Sequence, residues 1–210
     1  GTALQDSFNP SAYRGPSDFD ARHSITADFV VEVPLGKGKA LFGNAHGWIN
    51  EVIGGWQLSS LISYHSGNPL NVTDSGVYNV NYLYSALGIL KPGSTLPANG
   101  LTFDQNGIPS IFANTSAVNA FVGSYPGQVG SRGILRGPGF FNNDMALSKY
   151  FKIRESHRIQ VRAEAFNAFN NVMFGSPSLS TASPTTFGEI TGYASGAAPR
   201  VMQFAARYEF

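Results

Sequence analysis

The residues most able to do chemistry are four histidines, and they are scattered along the chain. They are His23, His46, His65 and His157. A metal or acid–base site usually shows a close pair of histidines, or a histidine and a carboxylate in the spacing of a known motif. The sequence contains no close pair of histidines and no such motif, and it has no cysteine to supply a thiolate ligand. We therefore expect neither a metal site nor a histidine-based catalytic site.

The serine and glycine motifs also lack the surroundings that catalysis requires. Gly130-Ser-Arg-Gly133 and Arg136-Gly-Pro-Gly139 follow no clear strand and precede no helix, unlike a phosphate-binding loop. No Gly-x-Ser-x-Gly motif of a nucleophilic serine is present. The sequence therefore predicts a protein that is not an enzyme, with no catalytic residue and no bound cofactor.

A set of charged residues recurs at alternate positions near the C-terminus. They are Arg158, Arg162, Glu164, Arg207 and Glu209. Each belongs to the polar half of a segment whose remaining positions are apolar, and a two-residue period puts the halves on opposite faces of a strand. Opposite charges on neighbouring strands attract one another. This pattern favours a ladder of ion pairs over a ligand site.

Five strand-length segments must carry these residues. In each segment apolar and polar residues alternate, and turn-forming residues bound most of the segments. The predicted strands are residues 22–33, 56–64, 141–153, 158–169 and 201–210. Residues 158–169 also contain helix-favouring Ala and Glu, but the strict alternation favours a strand. Residues 40–53 are ambiguous. The predicted fold is all-β, an antiparallel up-and-down meander of about five long strands.

The connections between these strands alternate in length. Residues 154–157 make a tight turn. The loops at about residues 73–139 and 175–199 are long and rich in Gly, Ser and Pro. A loop as long as the first argues against a compact soluble domain. Short periplasmic turns, long external loops and strands of about ten residues are typical of outer-membrane barrels. Two polar residues, Asn143 and Lys149, interrupt the apolar face of the third predicted strand.

Aromatic residues lie near the ends of the predicted strands. We interpret Trp56, Tyr64, Phe151 and Phe169 as interfacial aromatics of a membrane barrel. Phe204, Tyr208 and Phe210 share the apolar face of the terminal strand. The alternative is that these rings form the core of a soluble β-sandwich, such as an adhesin or a carbohydrate-binding protein.

The composition limits the classes of partner. Fourteen basic and 13 acidic residues leave a formal charge of +1, which offers no electrostatic basis for binding nucleic acid. No run of about 18 apolar residues predicts a membrane-spanning helix. The sequence begins at Gly1 without Met or a signal segment, so we expect a processed or excised piece of a longer protein.

Several motifs follow one another in order along the chain. They are Arg14-Gly-Pro-Ser-Asp-Phe-Asp-Ala-Arg-His-Ser-Ile-Thr-Ala27, Gly54-Gly-Trp-Gln-Leu58, Ser66-Gly-Asn-Pro69, Arg136-Gly-Pro-Gly-Phe-Phe-Asn142, Arg162-Ala-Glu-Ala-Phe-Asn-Ala-Phe-Asn170 and Pro199-Arg200. Together they resemble the C-terminal barrel of Oar-like TonB-dependent outer-membrane receptors. The chain also ends, like that family, in an alternating strand with a terminal Phe. The similarity spans most of residues 1–210.

The resemblance implies a bacterial receptor that imports a bulky nutrient. Its barrel of about 22 strands would enclose an N-terminal plug. Its partners would be outer-membrane lipid, the inner-membrane energising complex, and the barrel-assembly machinery that reads the terminal strand through Phe204, Tyr208 and Phe210. The polar face with Arg158 and Glu209 would line the lumen. Residues 1–210 would be roughly the last quarter of the receptor, without plug or TonB box, and not transport-competent alone.

A second hypothesis concerns the chain as a separate molecule. Five strands leave two open edges and an apolar face, which are ready to pair in water. Head-to-tail pairing of copies gives a ring or a filament. We therefore expect an isolated 210-residue chain to self-assemble as a homo-oligomer or filament, extracellular if it is released from its parent. The soluble sandwich remains a third hypothesis.

Overall fold

The computed structural model describes residues 8–74, 86–125 and 128–210, which form two compact units. The sheet unit comprises Ser24–Tyr64, Phe141–Val172 and Ala197–Phe210, and the loop unit comprises Gly1–His23, His65–Phe140 and Met173–Gly196. Residues 75–85 and 126–127 of the predicted 73–139 loop lie outside the described residues.

Five long strands form one antiparallel sheet in chain order. They are β1 (Ser24–Glu32), β2 (Trp56–His65), β3 (Phe140–Arg154), β4 (His157–Phe166) and β5 (Val201–Glu209). Sequential neighbours pair throughout, so the sheet is an up-and-down meander. Only Glu155 and Ser156 separate β3 from β4, whereas residues 66–139 separate β2 from β3. The predicted fold class and order of strands are confirmed.

The register of β3, β4 and β5 separates the two faces that the alternation predicts. Leu147 lies opposite Ala163, which lies opposite Phe204, and this row belongs to the apolar face. Tyr150 lies opposite Gln160, and Gln160 opposite Arg207, on the polar face. A shift of one residue would move every apolar side chain to the other face, so the pattern itself specifies the register.

One predicted strand boundary is wrong in a way that has a physical cause. The fourth strand was expected to reach residue 169, but β4 ends at Phe166. Asn167 and Asn170 have φ angles of 49° and 54°, in the left-handed region. Asn enters that region more readily than most side chains, and it cannot extend a strand there. Phe169 therefore lies beyond the strand that was expected to carry it.

The ambiguous segment 40–53 contains a short helix, α1 (Trp48–Ile53). It begins after Gly47, whose φ of 57° a side chain with Cβ rarely adopts. Its C-terminal turn closes where the amide of Gly54 donates to the carbonyl of Asn50. No helix in the described residues is long and apolar enough to cross a membrane.

The described part of the loop unit contains short paired strands where the sequence predicts loops. Antiparallel pairs of two-residue strands join Pro69–Leu70 with Leu135–Arg136, Thr73–Asp74 with Ala86–Leu87, Ile89–Leu90 with Phe121–Val122, and Thr102–Phe103 with Pro109–Ser110. Short 3-10 helices lie at Pro10–Tyr13, Thr115–Ala120 and Pro184–Thr186. Such short ladders carry no detectable period, which is why the sequence does not show them.

A hydrophobic core holds the loop unit together. Its buried residues come from two of the three segments of the unit, His65–Phe140 and Met173–Gly196. They are Val72, Ile111, Phe112, Phe121, Leu135, Leu179, Phe187 and Ile190. The ring of Phe187 stacks on Phe112 with centroids 5.6 Å apart and contacts Phe121 at 5.7 Å. These long connections are therefore a folded structure with its own interior.

Candidate functional site on the two faces of the sheet

The charged residues singled out in the sequence lie on one face of β4 and β5. Arg158 lies opposite Glu209 in the register, and its Nε is 2.5 Å from Glu209 Oε2. Nε of Arg207 lies 3.6 Å from the other oxygen of Glu209. Glu209 is therefore shared by two arginines at the end of the sheet where β4 begins.

The remaining two members of the predicted ladder pair along one strand instead of across two. Arg162 Nη2 lies 2.6 Å from Glu164 Oε1, and both residues belong to β4. Their neighbours across the register are Ala205 and Gln203, which carry no charge. The cross-strand ladder thus exists at Arg158 and Glu209, and it is interrupted at Arg162.

An aromatic ring belongs to the same polar face. The guanidinium carbon of Arg158 lies 4.6 Å from the centroid of the Tyr150 ring, at cation–π distance. The charged side chains are partly exposed, with Arg158 about half accessible. No group of three or more His, Cys, Asp or Glu that could hold a metal ion occurs among the described residues. The face offers hydrated charges and an aromatic surface to a polar solute.

The first polar interruption of the apolar face, Asn143, is buried and hydrogen-bonded within the sheet unit. Its Oδ1 accepts a hydrogen bond from Ser60 Oγ at 3.2 Å. Its backbone carbonyl accepts from the amide of Ala168 at 2.8 Å. Because these bonds keep the polar atoms away from the surroundings, Asn143 is compatible with an apolar face.

The second interruption, Lys149, is only 4% exposed. Its ammonium donates to the carbonyl oxygens of Glu51, Val52 and Gly54, at the C-terminal end of α1. The rings of Trp56 and Phe151 lie 5.8 and 4.7 Å from the same nitrogen. Lys149 therefore uses its three donors on backbone carbonyls, which lack intrahelical partners at a helix end.

The terminal strand exposes its aromatic residues. Phe204 and Tyr208 are more than half exposed, and Phe210 is 90% exposed. The Tyr208 ring stacks on His157 and lies 5.9 Å from the Phe210 ring. The structure thus places Tyr208 and Phe210 together, with Phe204 farther along the same face. Their role as an assembly signal stays a prediction.

The four residues interpreted as interfacial aromatics divide into two groups. Trp56 and Phe151 meet around Lys149, near the end of the sheet that carries the β3–β4 hairpin. Tyr64 lies at the other end of β2, and Phe169 stacks against Phe141 there at the start of β3, with centroids 6.4 Å apart. Aromatic residues thus lie at both ends of the strands.

The sequence did not predict the turn that follows β4, at residues 167–171. Asn167 is 4% exposed, and its Nδ2 donates to the carbonyls of Asn171 and Ala198 at 2.9 and 3.0 Å. Its backbone amide donates to Asp144 Oδ1 at 2.8 Å. Oδ1 of Asn170 accepts from the amide of Arg200 at 3.0 Å. The recurring Asn residues of this motif were the available signal.

Three of the motifs quoted for the resemblance meet in the loop unit. Arg136 Nη2 lies 2.6 Å from Asp20 Oδ2, and Nη1 donates to the Asp20 carbonyl at 2.5 Å. Gly67 lies so close to the Gly137 carbonyl that a Cβ there would collide with it. Segments far apart in sequence therefore depend on one another for packing.

The loop unit also contains a cavity of about 400 Å³. Its wall includes the His65 ring, stacked on Phe140 with centroids 5.0 Å apart, and the exposed Tyr193. Ser176, Asn68 and backbone groups add polar atoms. The cavity combines aromatic surfaces with uncharged hydrogen-bonding groups.

Comparison with known proteins agrees with the five-stranded sheet and its two faces. No curated protein and no solved structure matches the chain. A family model described as an outer membrane beta barrel domain matches residues 1–203. That family favours a membrane barrel over the soluble sandwich, and it accounts for an apolar face left exposed. The chain belongs to the outer membrane beta barrel domain family.

Proposed function

We propose that this chain forms part of the barrel wall of an Oar-like TonB-dependent receptor, a protein that is not an enzyme and imports a bulky nutrient across the outer membrane. The observation that carries the proposal is the polar face of β4 and β5, where Arg158, Arg162, Glu164, Arg207 and Glu209 lie on one side of the sheet. In a barrel whose apolar face contacts lipid, this face lines the lumen.

The folded loop unit supports a receptor over a simple pore. A pore needs only an open channel, whereas a receptor needs a shaped surface outside the membrane. The core around Phe187 fixes the long connections, and the cavity beside His65 and Tyr193 offers aromatic and hydrogen-bonding groups. Ligand sites are typically built from such a combination.

The assignment to energised transport follows from the resemblance motifs. Arg136 belongs to one of these motifs, and it contacts Asp20 and Gly67, which belong to two others. In the proposed receptor the other partners are a plug, the remaining barrel strands, the inner-membrane energising complex and the assembly machinery. Five strands are too few to enclose a plugged lumen, so transport requires those other parts.

Growth epistasis in the native bacterium tests this function without knowledge of the ligand. Strains lacking the gene, the energising complex, or both would be compared over a panel of nutrients supplied at limiting concentration. We expect the gene deletion to impair growth on one nutrient class, and to add no further defect on that class when the energising complex is already absent. A passive pore would give additive defects, and that result would reject the proposal.

A further inference from the structure

The connection between β1 and β2, residues 33–55, contains helix α1, whose apolar side chains are exposed. Trp48 is 76% exposed, and Ile49 and Val52 are about half exposed. At about 100° per residue these side chains lie on one arc of α1, while Asn50 and Glu51 lie on the other. A surface helix of a soluble protein turns its apolar arc inward, and this helix turns it outward.

The polar side of α1 is fixed to the sheet unit. Oδ1 of Asn50 accepts from the backbone amide of Lys37 at 2.6 Å, and the ammonium of Lys149 binds the carbonyls at the helix C-terminus. Trp56 Nε1 donates to the carbonyl of Val52 at 2.9 Å. These bonds hold the apolar arc in its outward orientation.

Lys149 also determines which side of the sheet the helix occupies. It shares a face with Leu147 and Phe151, and in an outer-membrane barrel the apolar face contacts lipid. The helix therefore lies against the lipid side of the wall, near the end that carries the two-residue β3–β4 hairpin. Short connections of this kind mark the periplasmic end. The outward arc thus continues the lipid-contacting surface at the periplasmic leaflet.

We propose that residues 33–55 are a membrane anchor that inserts into the periplasmic leaflet of the outer membrane. Trp48, Ile49 and Val52 insert among the acyl chains, as the apolar face of an interfacial amphipathic helix does. The anchor would fix the depth of β1 and β2 in the membrane, and it depends on the outer-membrane location alone, not on the receptor function.

Site-specific labelling tests the insertion. Because the chain contains no cysteine, Val52→Cys introduces one labelling position within it. The intact protein, carrying a fluorophore there, would be reconstituted into nanodiscs whose lipids bear a nitroxide quencher near the headgroup end of the acyl chain. We expect strong quenching at position 52. The matched control is Gln57→Cys, which lies on the opposite face of β2 from Trp56 and should be quenched little.

Equal quenching at the two positions would overturn the insertion. A label at position 52 that is shielded from water-soluble quenchers but untouched by lipid quenchers would also overturn it, because a protein partner would then cover the helix. Neither result would bear on transport, so failure of the anchor and failure of the receptor proposal are distinguishable.

Discussion

The hydroxyl of Tyr208 lies 2.6 Å from Nδ1 of His157, and the two rings stack with centroids 5.8 Å apart. The contact ties the end of β5 to the first residue of β4 on the apolar face. Phe210 follows at 5.9 Å from the Tyr208 ring. A row of three rings therefore marks the end of the sheet at which the chain's last strand finishes.

Deleting Phe210 should reduce the fraction of protein assembled in the outer membrane several-fold. The ring is 90% exposed, so its loss removes little packing, and the effect would arise from recognition of the terminal strand by the assembly machinery. Heat-modifiable mobility of outer-membrane fractions on gels measures the assembled form. Tyr208→Phe, which keeps the ring and loses the hydroxyl, serves as the control and should assemble normally. Normal assembly without Phe210 would contradict the signal role.

Breaking the ion pair between Arg158 and Glu209 should change stability only slightly. Arg158 is about half exposed, and exposed pairs contribute about 0.2–1 kcal/mol because water screens them. A double-mutant cycle with Arg158→Gln and Glu209→Gln, followed by urea unfolding of the membrane-inserted protein, measures the coupling free energy. We expect a coupling of under about 1 kcal/mol.

The same cycle checks the role of Arg207, which also approaches Glu209. In an Arg207→Gln background the coupling between Arg158 and Glu209 should rise, because Glu209 then has one basic partner. A coupling well above about 2 kcal/mol would mean that the pair is excluded from water, which would contradict a hydrated face.

The alternation of apolar and polar residues was sufficient to predict the sheet. It identified all five strands, and it placed Phe204 with Tyr208 on one face and Arg207 with Glu209 on the other. A two-residue period is a local property, so it can be read without knowledge of tertiary contacts. The polar interruptions Asn143 and Lys149 were visible in the sequence, but their partners were not.

The remaining structure depends on contacts between distant segments. The loop-unit core joins Val72 to Phe187 through two-residue strands, which are too short to leave a period. Helix α1 is six residues long and is held by Lys149, a residue almost a hundred positions further along the chain. The left-handed turn at Asn167 depends on Asp144 and Ala198. Local sequence could indicate none of these partners.

Asn167→Ala should destabilise the sheet unit by about 2–3 kcal/mol. The substitution removes the side-chain bonds to Asn171 and Ala198 from a buried position, and it places a Cβ-bearing residue other than Asn at a φ of 49°. Urea unfolding in membranes measures the loss. Asn167→Gly relieves the backbone strain without restoring the bonds. Its free energy of unfolding should therefore lie between those of the unaltered protein and Asn167→Ala.

The matched control for this turn is Asn170→Gly. Asn170 also has a left-handed φ, but it is exposed, and its side-chain Oδ1 accepts a hydrogen bond from the amide of Arg200. We expect a loss of under about 1 kcal/mol there. Equal losses for Asn167→Gly and Asn170→Gly would show that the buried amide of Asn167 stabilises the turn no more than the exposed side chain of Asn170.

Phe187→Ala should unfold the loop unit while the strands still assemble. Phe187 is fully buried against Phe112 and Phe121, and removing such a ring costs about 3–5 kcal/mol. Limited proteolysis of intact cells should cut the variant within residues 86–136 and 173–196, with heat-modifiable mobility unchanged. Phe103→Ala, at an exposed position, is the control. Loss of membrane assembly in Phe187→Ala would show that the strands need the folded loop unit.

The 210-residue chain prepared alone should associate with itself in detergent-free buffer. Every residue of β1 is exposed, and β5 is exposed from Val201 to Tyr208. Each of these two strands has a single neighbour in the described sheet. Unpaired edges and an apolar face both favour contact between copies. Light scattering in dilute solution should show a ring or a filament, since head-to-tail pairing of β1 with β5 is heterologous.

A charge on the edge strand tests whether the sheet drives this association. Phe204→Lys places an ammonium group on the exposed apolar face of β5, and lysine at a sheet edge opposes pairing. We expect the particle size to fall towards that of the monomer. Phe103→Lys changes an exposed ring outside the five-stranded sheet and should leave association intact. A stable monomer of the unaltered chain would contradict the prediction, because the open edges and the apolar face would then remain exposed to water without driving association.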